Sequence, residues 1–283
     1  MRILVTGAQG QLGRELVTQL RQKQHDVTGA DVSDFDITDF TATCDYVRDL
    51  QPAFIIHTAA WTDVDGCVRD PEKAIAINGF GAQHVALAAK QVDAPILYIS
   101  SNEVFDGRKQ DPYYEYDVTN PINPYGYSKW VGERAIVNIQ PAHYIVRTSW
   151  LFSHGGRNFV QTILKAAKEN IALQVVTDEV ANPTYNTHLA EAITCLIETD
   201  RYGIYHFVNE GVCSRYDFAR YLLNRAGYAD TPIEPITRAN WLRASTPPAR
   251  TGLKNMAGQQ VGITLCHWQK AVDEFLVREG LPV

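Results

Sequence analysis

Tyr125 and Lys129 are the residues whose types and spacing indicate chemistry most directly. They lie four residues apart in "NPYGYSKWVGERAIV", and on a helix this spacing puts both side chains on one face. A tyrosine with an ordinary pKa of about 10 exchanges protons poorly at neutral pH, unless a neighbouring ammonium stabilises its phenolate. Lys129 is predicted to supply that charge and to reach the ribose of a nucleotide. Tyr127 lies on another side of the helix, so we assign it to packing.

A glycine-rich turn precedes the first predicted helix, in "ILVTGAQGQLGREL". Glycine allows the backbone to approach a diphosphate, and the helix N-terminus offers unpaired N–H groups and the positive end of its dipole. A turn that binds nothing is the alternative. The strand before the turn and the helix after it are, however, the context that a dinucleotide site requires. The predicted cofactor contacts in this turn are Gly7, Gly10, Gln11, Leu12 and Gly13.

Asp31 ends the second predicted strand. An acidic residue at this point can accept hydrogen bonds from both ribose hydroxyls of an adenosine; a solvated loop aspartate is the alternative. The sequence contains no Arg or Lys between Asp26 and Arg48 that could receive a 2′-phosphate. This pattern favours NADH as the cofactor, with NADPH as the second choice.

Short apolar runs alternate with helical patterns through the first half of the chain. Continuous apolar strands that alternate with amphipathic helices predict a parallel sheet covered on both faces, so the fold class is α/β, a Rossmann-type doubly wound sheet. Loops lengthen after about residue 150, which predicts a smaller, loop-rich C-terminal substrate domain. The predicted strands are 2–6, 26–30, 54–58, 95–100 and 143–148; the predicted dinucleotide-binding domain is 1–150 with about 185–210, and the substrate domain 151–184 with 211–283.

Composition narrows the function classes. The 283 residues carry 26 Lys and Arg against 32 Asp and Glu, a net charge of −6. Neither sign forms a long block, which argues against nucleic-acid and membrane partners. The five cysteines form no CxxC pair, the histidines no HxxxH pair, and no signal peptide is visible. We therefore expect a cytoplasmic protein without a metal site.

Several segments resemble the extended short-chain dehydrogenase/reductases, and more narrowly the dTDP-4-dehydrorhamnose reductases. The resemblance covers nearly the whole chain and weakens after residue 210. It implies NAD(P)H-dependent reduction of a 4-keto-6-deoxy sugar nucleotide, dTDP-4-dehydro-L-rhamnose, to dTDP-L-rhamnose, and it allows a homodimer. The matching segments are "ILVTGAQGQLGREL", "DITD", "AAWTDVDGC", "AINGFGAQHVALAA", "VFDG", "NPINPYGYSKWVGE", "RTSWLF", "NFV" and "VANPTYNTHLAEAI".

The resemblance also implies roles for individual residues. Tyr125 would donate a proton to the 4-oxygen of the sugar, Lys129 would tune Tyr125 and hold the ribose, and Ser101 would hydrogen-bond the reacting oxygen. Trp150 would flank the sugar, although a core position is an equal alternative. The remaining implied contacts are Asp36, Ile37, Ala59 and Ala60 for the cofactor, and Asn102, Glu103, Asn158 and Arg250 for the substrate.

The stretch "YISSNEVFDG" departs from the reductase pattern. Ser101, Asn102 and Glu103 stand where related sugar-nucleotide dehydratases have threonine, aspartate and glutamate, so an epimerase or dehydratase of the superfamily is one alternative. Elimination of water needs an acid for the leaving hydroxyl, and Asn102 has no titratable proton. Glu103 is then expected to contact sugar hydroxyls or the wall of the site. A non-catalytic regulatory member of the superfamily is the other alternative, against which Tyr125 and Lys129 argue.

Overall fold

The computed structural model describes residues 1–283. Its strands are β1 Arg2–Thr6, β2 Asp26–Ala30, β3 Phe54–His57, β4 Ile96–Ser101, β5 His143–Thr148, β6 Leu151–Phe152, β7 Leu173–Val176, β8 Val180–Ala181, β9 Thr184–Tyr185, β10 Gly203–His206, β11 Cys213–Ser214 and β12 Ile233–Ile236. Its α-helices are α1 Gln11–Gln22, α2 Phe40–Leu50, α3 Val64–Arg69, α4 Pro71–Ala74, α5 Ala82–Gln91, α6 Pro124–Ile139, α7 Phe159–Lys168, α8 Asn186–Leu196, α9 Arg215–Arg225, α10 Ala257–Gln260 and α11 Trp268–Arg278. A π-helical turn, Ile75–Gly81, joins α4 to α5, and 3₁₀ turns cover Asn102–Val104 and Arg238–Asn240.

Six parallel strands form the central sheet, in the order β10-β5-β4-β3-β1-β2. The predicted strands 2–6, 26–30 and 143–148 coincide with β1, β2 and β5; 54–58 is one residue longer than β3, and 95–100 is shifted by one residue from β4. Residues of β1, β3 and β4 are buried on both faces of the sheet, as continuous apolar runs require. The predicted Rossmann-type α/β class is confirmed.

Helices cover both faces of this sheet. On one face α1 and α8 contribute Leu16, Leu20, Leu189 and Ile193 to a core shared with β1 and β5. On the other face α2, α5 and α6 pack their own buried side chains, among them Val47, Val85 and Ile136. The helical pattern of the sequence is thus accounted for by burial against the sheet.

A second apolar core lies in the smaller C-terminal part, where α7, α9 and α11 enclose Phe152, Phe218 and Phe275. Segment 186–206 returns to the sheet, because it supplies α8 and β10. Ile263 and Leu265, which the predicted boundary assigns to the substrate domain, pack in the core beside the sheet.

The parallel arrangement brings the carboxyl ends of the strands to one edge. Thr6, His57, Ser101 and Thr148 end four neighbouring strands there, the position at which open α/β sheets bind ligands. None of the helices combines the length and the apolar composition needed to cross a lipid bilayer.

Candidate active site

Two adjoining cavities open at this edge of the sheet. One, of about 900 Å³, lies between the glycine-rich turn and the ends of β2 and β3. The other, of about 740 Å³, lies between the end of β4 and the C-terminal part of the chain. We call the first the cofactor cleft and the second the substrate cavity.

The glycine-rich turn forms one wall of the cofactor cleft. Gly7 has a φ of +69°, and a Cβ there would come 2.7 Å from the backbone of Ala59, so only glycine fits this approach. A Cβ on Gly13 would overlap the carbonyl oxygen of Gly7, which explains how α1 packs so closely on β1. Gly10 caps α1 without a side-chain hydrogen bond. The first N–H groups of the helix therefore stay available to an anion, and the turn fits a dinucleotide diphosphate.

The remaining predicted cofactor residues divide into two groups. The side chain of Gln11 turns away from the cleft, where Ser153 donates to it and it donates to the carbonyl oxygen of Arg157, and Leu12 is buried in the core. These two residues act through packing and hydrogen bonds behind the turn. Those that line the cleft are Gly7, Gly10, Asp31, Asp36, Ile37, Ala59 and Ala60.

Asp31 fixes the shape of the cofactor cleft at the end of β2. Its Oδ2 accepts the Gln9 N–H at 2.9 Å and its Oδ1 accepts the Val32 N–H at 2.9 Å. Arg14 Nη1 donates to the Gln9 carbonyl oxygen at 3.0 Å. A cation thus lies beside this end of the cleft, on α1 and outside residues 26–48.

Tyr125 and Ser101 face each other across the end of β4. Burial, followed by the charge of Glu103, raises the pKa of Tyr125 well above its usual value, whereas the nearby Ser101 hydroxyl lowers it. The phenol therefore holds its proton at neutral pH. Ser101 Oγ also accepts the Glu103 N–H at 3.1 Å, so the start of the 3₁₀ turn orients the hydroxyl.

Lys129 is buried beneath this pair, with its Nζ 4.1 Å from the centre of the Tyr98 ring. Burial lowers its pKa to about 7, against the opposing charge of Glu133. No hydrogen bond joins its ammonium to the Tyr125 hydroxyl, and Lys129 is not among the charges that shift the pKa of Tyr125. Lys129 and burial also lower the pKa of His57, at the end of β3, to about 3, with burial the larger cause.

Local interactions fix the start of α6, the helix that carries Tyr125. Asn123 caps it by accepting the Gly126 N–H at 2.8 Å, and its own Nδ2 donates to Glu103 Oε2 at 2.6 Å. A Cβ on Gly126 would overlap the Glu103 carbonyl oxygen, so the helix can approach β4 only with glycine there. One turn along, Asn78 of the π-helical turn donates to Ser128 Oγ at 2.9 Å.

The substrate cavity contains most of the predicted substrate residues. Asn102, Glu103, Trp150 and Asn158 line it. Asn102 is held by Thr251, whose hydroxyl accepts from its amide at 2.6 Å. Asn158 caps α7 by accepting the Gln161 N–H at 3.1 Å, so its side chain also serves the local fold.

Arg250 does not line this cavity. Its backbone forms a bridge with Val180, and its Nε is buried without a hydrogen-bond partner. The neighbouring residues Pro247, Pro248 and Thr251 face the cavity instead. Arg250, the predicted basic contact to the substrate, is therefore not among the residues that line the substrate cavity.

Other arginines supply positive charge to the cavity, and sequence reasoning missed them. Arg215 stacks on Trp150, with its guanidinium carbon 3.7 Å from the ring centre, and the backbone of Trp150 has a positive φ of +43°. Burial lowers the pKa of Arg215 to about 10, still above neutral pH. Arg243 pairs with the buried carboxylate of Glu179. Arg69, Arg157, Arg215 and Arg243 all line the cavity.

Ligand-type side chains meet at one other place, where His188, Cys266 and Glu274 lie together. The two nitrogens of His188 face different partners: Nε2 lies 2.7 Å from Glu274, and Nδ1 lies 3.7 Å from Cys266 Sγ. The contacts of the cluster therefore lie on opposite sides of one ring, and we assign no ion to it.

Comparison with known proteins identifies the family of this chain. The family model described as the RmlD substrate binding domain matches residues 1–280. The chain belongs to this family. Among curated relatives, the spore coat polysaccharide biosynthesis protein SpsK of Bacillus subtilis is 38% identical over 275 residues, which cover 97% of this chain and 96% of that protein.

Solved structures of RmlD-family proteins agree with the fold throughout. A dTDP-4-dehydrorhamnose reductase from Clostridium acetobutylicum superposes with a TM-score of 0.95 at 35% identity, covering 99% of this chain and 100% of that chain. A dTDP-4-dehydrorhamnose reductase from Bacillus anthracis, solved in complex with NADP, has a TM-score of 0.93 at 34% identity and covers 98% and 99%. The resemblance inferred from the motifs is confirmed.

Proposed function

We propose that this RmlD-family protein is an NAD(P)H-dependent reductase of a 4-keto-6-deoxy sugar nucleotide, converting dTDP-4-dehydro-L-rhamnose to dTDP-L-rhamnose. The observation that carries the proposal is the position of Ser101, Tyr125 and Lys129. Ser101 directly precedes Asn102, which lines the substrate cavity. The charge of Lys129 lowers the pKa of His57, and His57 directly precedes Thr58, which lines the cofactor cleft. These neighbours support an active site between the substrate cavity and the cofactor cleft.

The nicotinamide supplies the hydride when the cofactor is bound. Tyr125 is protonated at neutral pH because burial and Glu103 raise its pKa, so it can give its proton to the oxygen that becomes the 4-hydroxyl. Ser101 hydrogen-bonds the same oxygen and polarises the carbonyl. The Lys129 amine, held over the Tyr98 ring, is placed to bind the nicotinamide ribose.

The charge of the substrate cavity supports a nucleoside diphosphate sugar. The guanidinium of Arg215 stacks on Trp150 and donates no hydrogen bond within the chain, so its N–H groups remain available to a diphosphate. Arg157 and Arg69 add positive charge at the same cavity. Asn102 supports reduction over the dehydratase alternative, because its amide is bound to Thr251 and carries no acidic proton.

The reductase assay combines the protein, NADH and dTDP-4-dehydro-L-rhamnose. We expect loss of the NADH absorbance, with dTDP-L-rhamnose as the product identified by NMR. A parallel reaction with dTDP-glucose and NAD should give no 4-keto-6-deoxy product. Dehydration of dTDP-glucose, or binding of NADH without turnover of the keto sugar, would contradict the proposal and favour one of the two alternatives.

For the cofactor, we propose a preference for NADH, because the Asp31 carboxylate would repel a 2′-phosphate. Arg14 is the cation able to offset that repulsion. It lies close to Asp31, because the N–H of Gln9 donates to Asp31 and the carbonyl oxygen of the same residue accepts from Arg14. The measurement is kcat/KM with each cofactor, and NADH should give the higher value. If NADPH is preferred and Arg14→Ala removes that preference, the 2′-phosphate binds Arg14 and the proposed choice is wrong.

A further inference from the structure

Glu103 is a carboxylate in the substrate cavity whose chemistry the reduction does not use. Its Oε2 accepts from Asn123 at 2.6 Å, and its Oε1 has no hydrogen-bond partner within the chain. The residue is partly buried and faces the cavity that also contains Asn102 and Trp150. One oxygen of the carboxylate is therefore free to meet a ligand.

The surroundings of Glu103 favour a carboxylate that can take up a proton. Burial and the charge of Glu179 raise its pKa, whereas Asn123, Arg215 and Arg243 act in the opposite direction. The hydrogen bond from Asn123 and the positive charges of Arg215 and Arg243 favour the ionised form, while burial makes the carboxylate a stronger base than one in water. The charge of Glu103 also raises the pKa of the Tyr125 hydroxyl. The base, Glu103, and the proton donor, Tyr125, therefore belong to one site.

The proposed substrate is a ketone, and the hydrogens on the carbons next to a carbonyl are weakly acidic. Their acidity rises when the carbonyl oxygen is hydrogen-bonded, as Ser101 and Tyr125 would bond it. Resting on the proposed function, we infer that Glu103 is a base that removes and returns the proton on a carbon next to the 4-keto group. The protein would then exchange this proton with solvent, an activity separate from reduction.

The step balances without an oxidant or reductant. The C–H bond breaks as the proton moves to Glu103, its electron pair forms a C=C bond, and the carbonyl oxygen gains negative charge stabilised by Ser101 and Tyr125. Return of a solvent-exchanged proton to the carbon restores the ketone. Because Asn102 cannot protonate a leaving hydroxyl, the enolate returns to the ketone and does not lose water.

The test uses dTDP-4-dehydro-L-rhamnose in D₂O with the full-length protein and NAD, which fills the cofactor cleft without providing a hydride. NMR follows the C3 and C5 proton signals against a protein-free sample. We expect one signal to disappear at a rate about 100-fold above the protein-free rate. Glu103→Gln keeps an oxygen that can accept from Asn123 and removes only the basic charge. Glu169→Gln, at the exposed end of α7, is the matched control and should exchange like the unmodified protein.

Reduction by NADH is measured on the same preparations, which separates this inference from the proposed function. We expect Glu103→Gln to lose exchange to the protein-free rate while its kcat/KM for reduction falls by about tenfold or less, the effect of one charge-assisted hydrogen bond. Exchange at the protein-free rate by an unmodified protein that reduces the keto sugar would overturn the inference alone. Undiminished exchange in Glu103→Gln would also overturn the inference. Equal losses of exchange and reduction would overturn it too, because Glu103 would then serve only to position α6.

Discussion

Two tyrosines of α6 differ in surroundings although they are two residues apart. Burial and the charge of Glu103 raise the pKa of Tyr125, whereas Tyr127 is 44% exposed and its ring lies beside Trp130. Tyr125→Phe removes the proton donor, so we expect kcat to fall by about 10²–10⁴-fold with little change in NADH affinity. Tyr127→Phe is the matched control and should keep normal turnover. Steady-state kinetics and NADH titration of both variants test the assignment, which fails if Tyr125→Phe retains most of its activity.

Lys129 makes a prediction about stability as well as catalysis. In the folded, cofactor-free protein its pKa is about 7 against an ordinary value of 10.5. Between these two pH values the unfolded chain binds more protons at Lys129 than the folded protein does. Burial of the charged lysine therefore lowers the free energy of unfolding most below about pH 7, and this cost disappears toward pH 10.5. Lys129→Met should therefore raise the melting temperature at pH 7, by an amount that shrinks toward pH 10, while weakening NADH binding.

Thermal denaturation of cofactor-free samples across this pH range measures the effect. The control is Lys165→Met, because Lys165 is exposed on α7 and should leave the pH dependence unchanged. A Lys129→Met variant with the same pH dependence as the unmodified protein would mean that the ammonium is solvated.

At the scale of the element, the cap of α6 links stability to catalysis. Asn123 caps the helix and also binds Glu103, while Asp39 caps α2 through the Ala42 N–H at 3.0 Å. Loss of either cap should lower the free energy of unfolding by about 1 kcal/mol. Only Asn123→Ala should also lower kcat, because its helix carries Tyr125. Urea denaturation and kinetics of Asn123→Ala and Asp39→Ala compare the two, and an equal effect on kcat would refute the link.

How far the sequence predicts the site depends on the range of the interactions. The glycine turn and the Tyr125–Lys129 pair are local patterns, and the structure has the turn before α1 and both side chains on α6, as their spacing predicts. Arg215, Arg243 and Glu179 come together from three separate segments after residue 170, where the strands have only two to four residues. Such short strands have no detectable periodicity. The choice of Arg250 over Arg215 illustrates the result, because charge in a loop does not reveal which way a side chain points.

At the scale of the whole molecule, one buried ion pair joins the sheet to α6. Arg147 of β5 binds Glu133 of α6 through two hydrogen bonds of 2.8 Å, and both side chains are at most 5% exposed. Removing one partner leaves the other charge buried and unpaired, so Arg147→Met should cost about 3–5 kcal/mol of unfolding free energy. Glu133→Leu combined with Arg147→Met should cost less than the sum of the single changes.

Chemical denaturation of the two single variants and the double variant gives the coupling energy. Arg48→Met is the control, since Arg48 pairs with Asp45 at the surface, where both side chains are at least half exposed, and should change stability by about 1 kcal/mol or less. Additive costs in the double variant would show that the two charges do not stabilise each other.

The π-helical turn also determines how helix α5 meets the sheet. A π turn holds one residue more than an α-helical turn, so α5 starts about 100° out of phase with α4, the rotation of a single α-helical residue. This offset directs Ala82, Val85 and Ala89 into the core and leaves Lys90 exposed. Because the wider turn absorbs the extra residue, deleting one residue from Ile75–Gly81 would give a continuous α-helix with the same face of α5 directed inward. This segment should therefore tolerate a one-residue deletion that would rotate the buried face of a regular α-helix by about 100°.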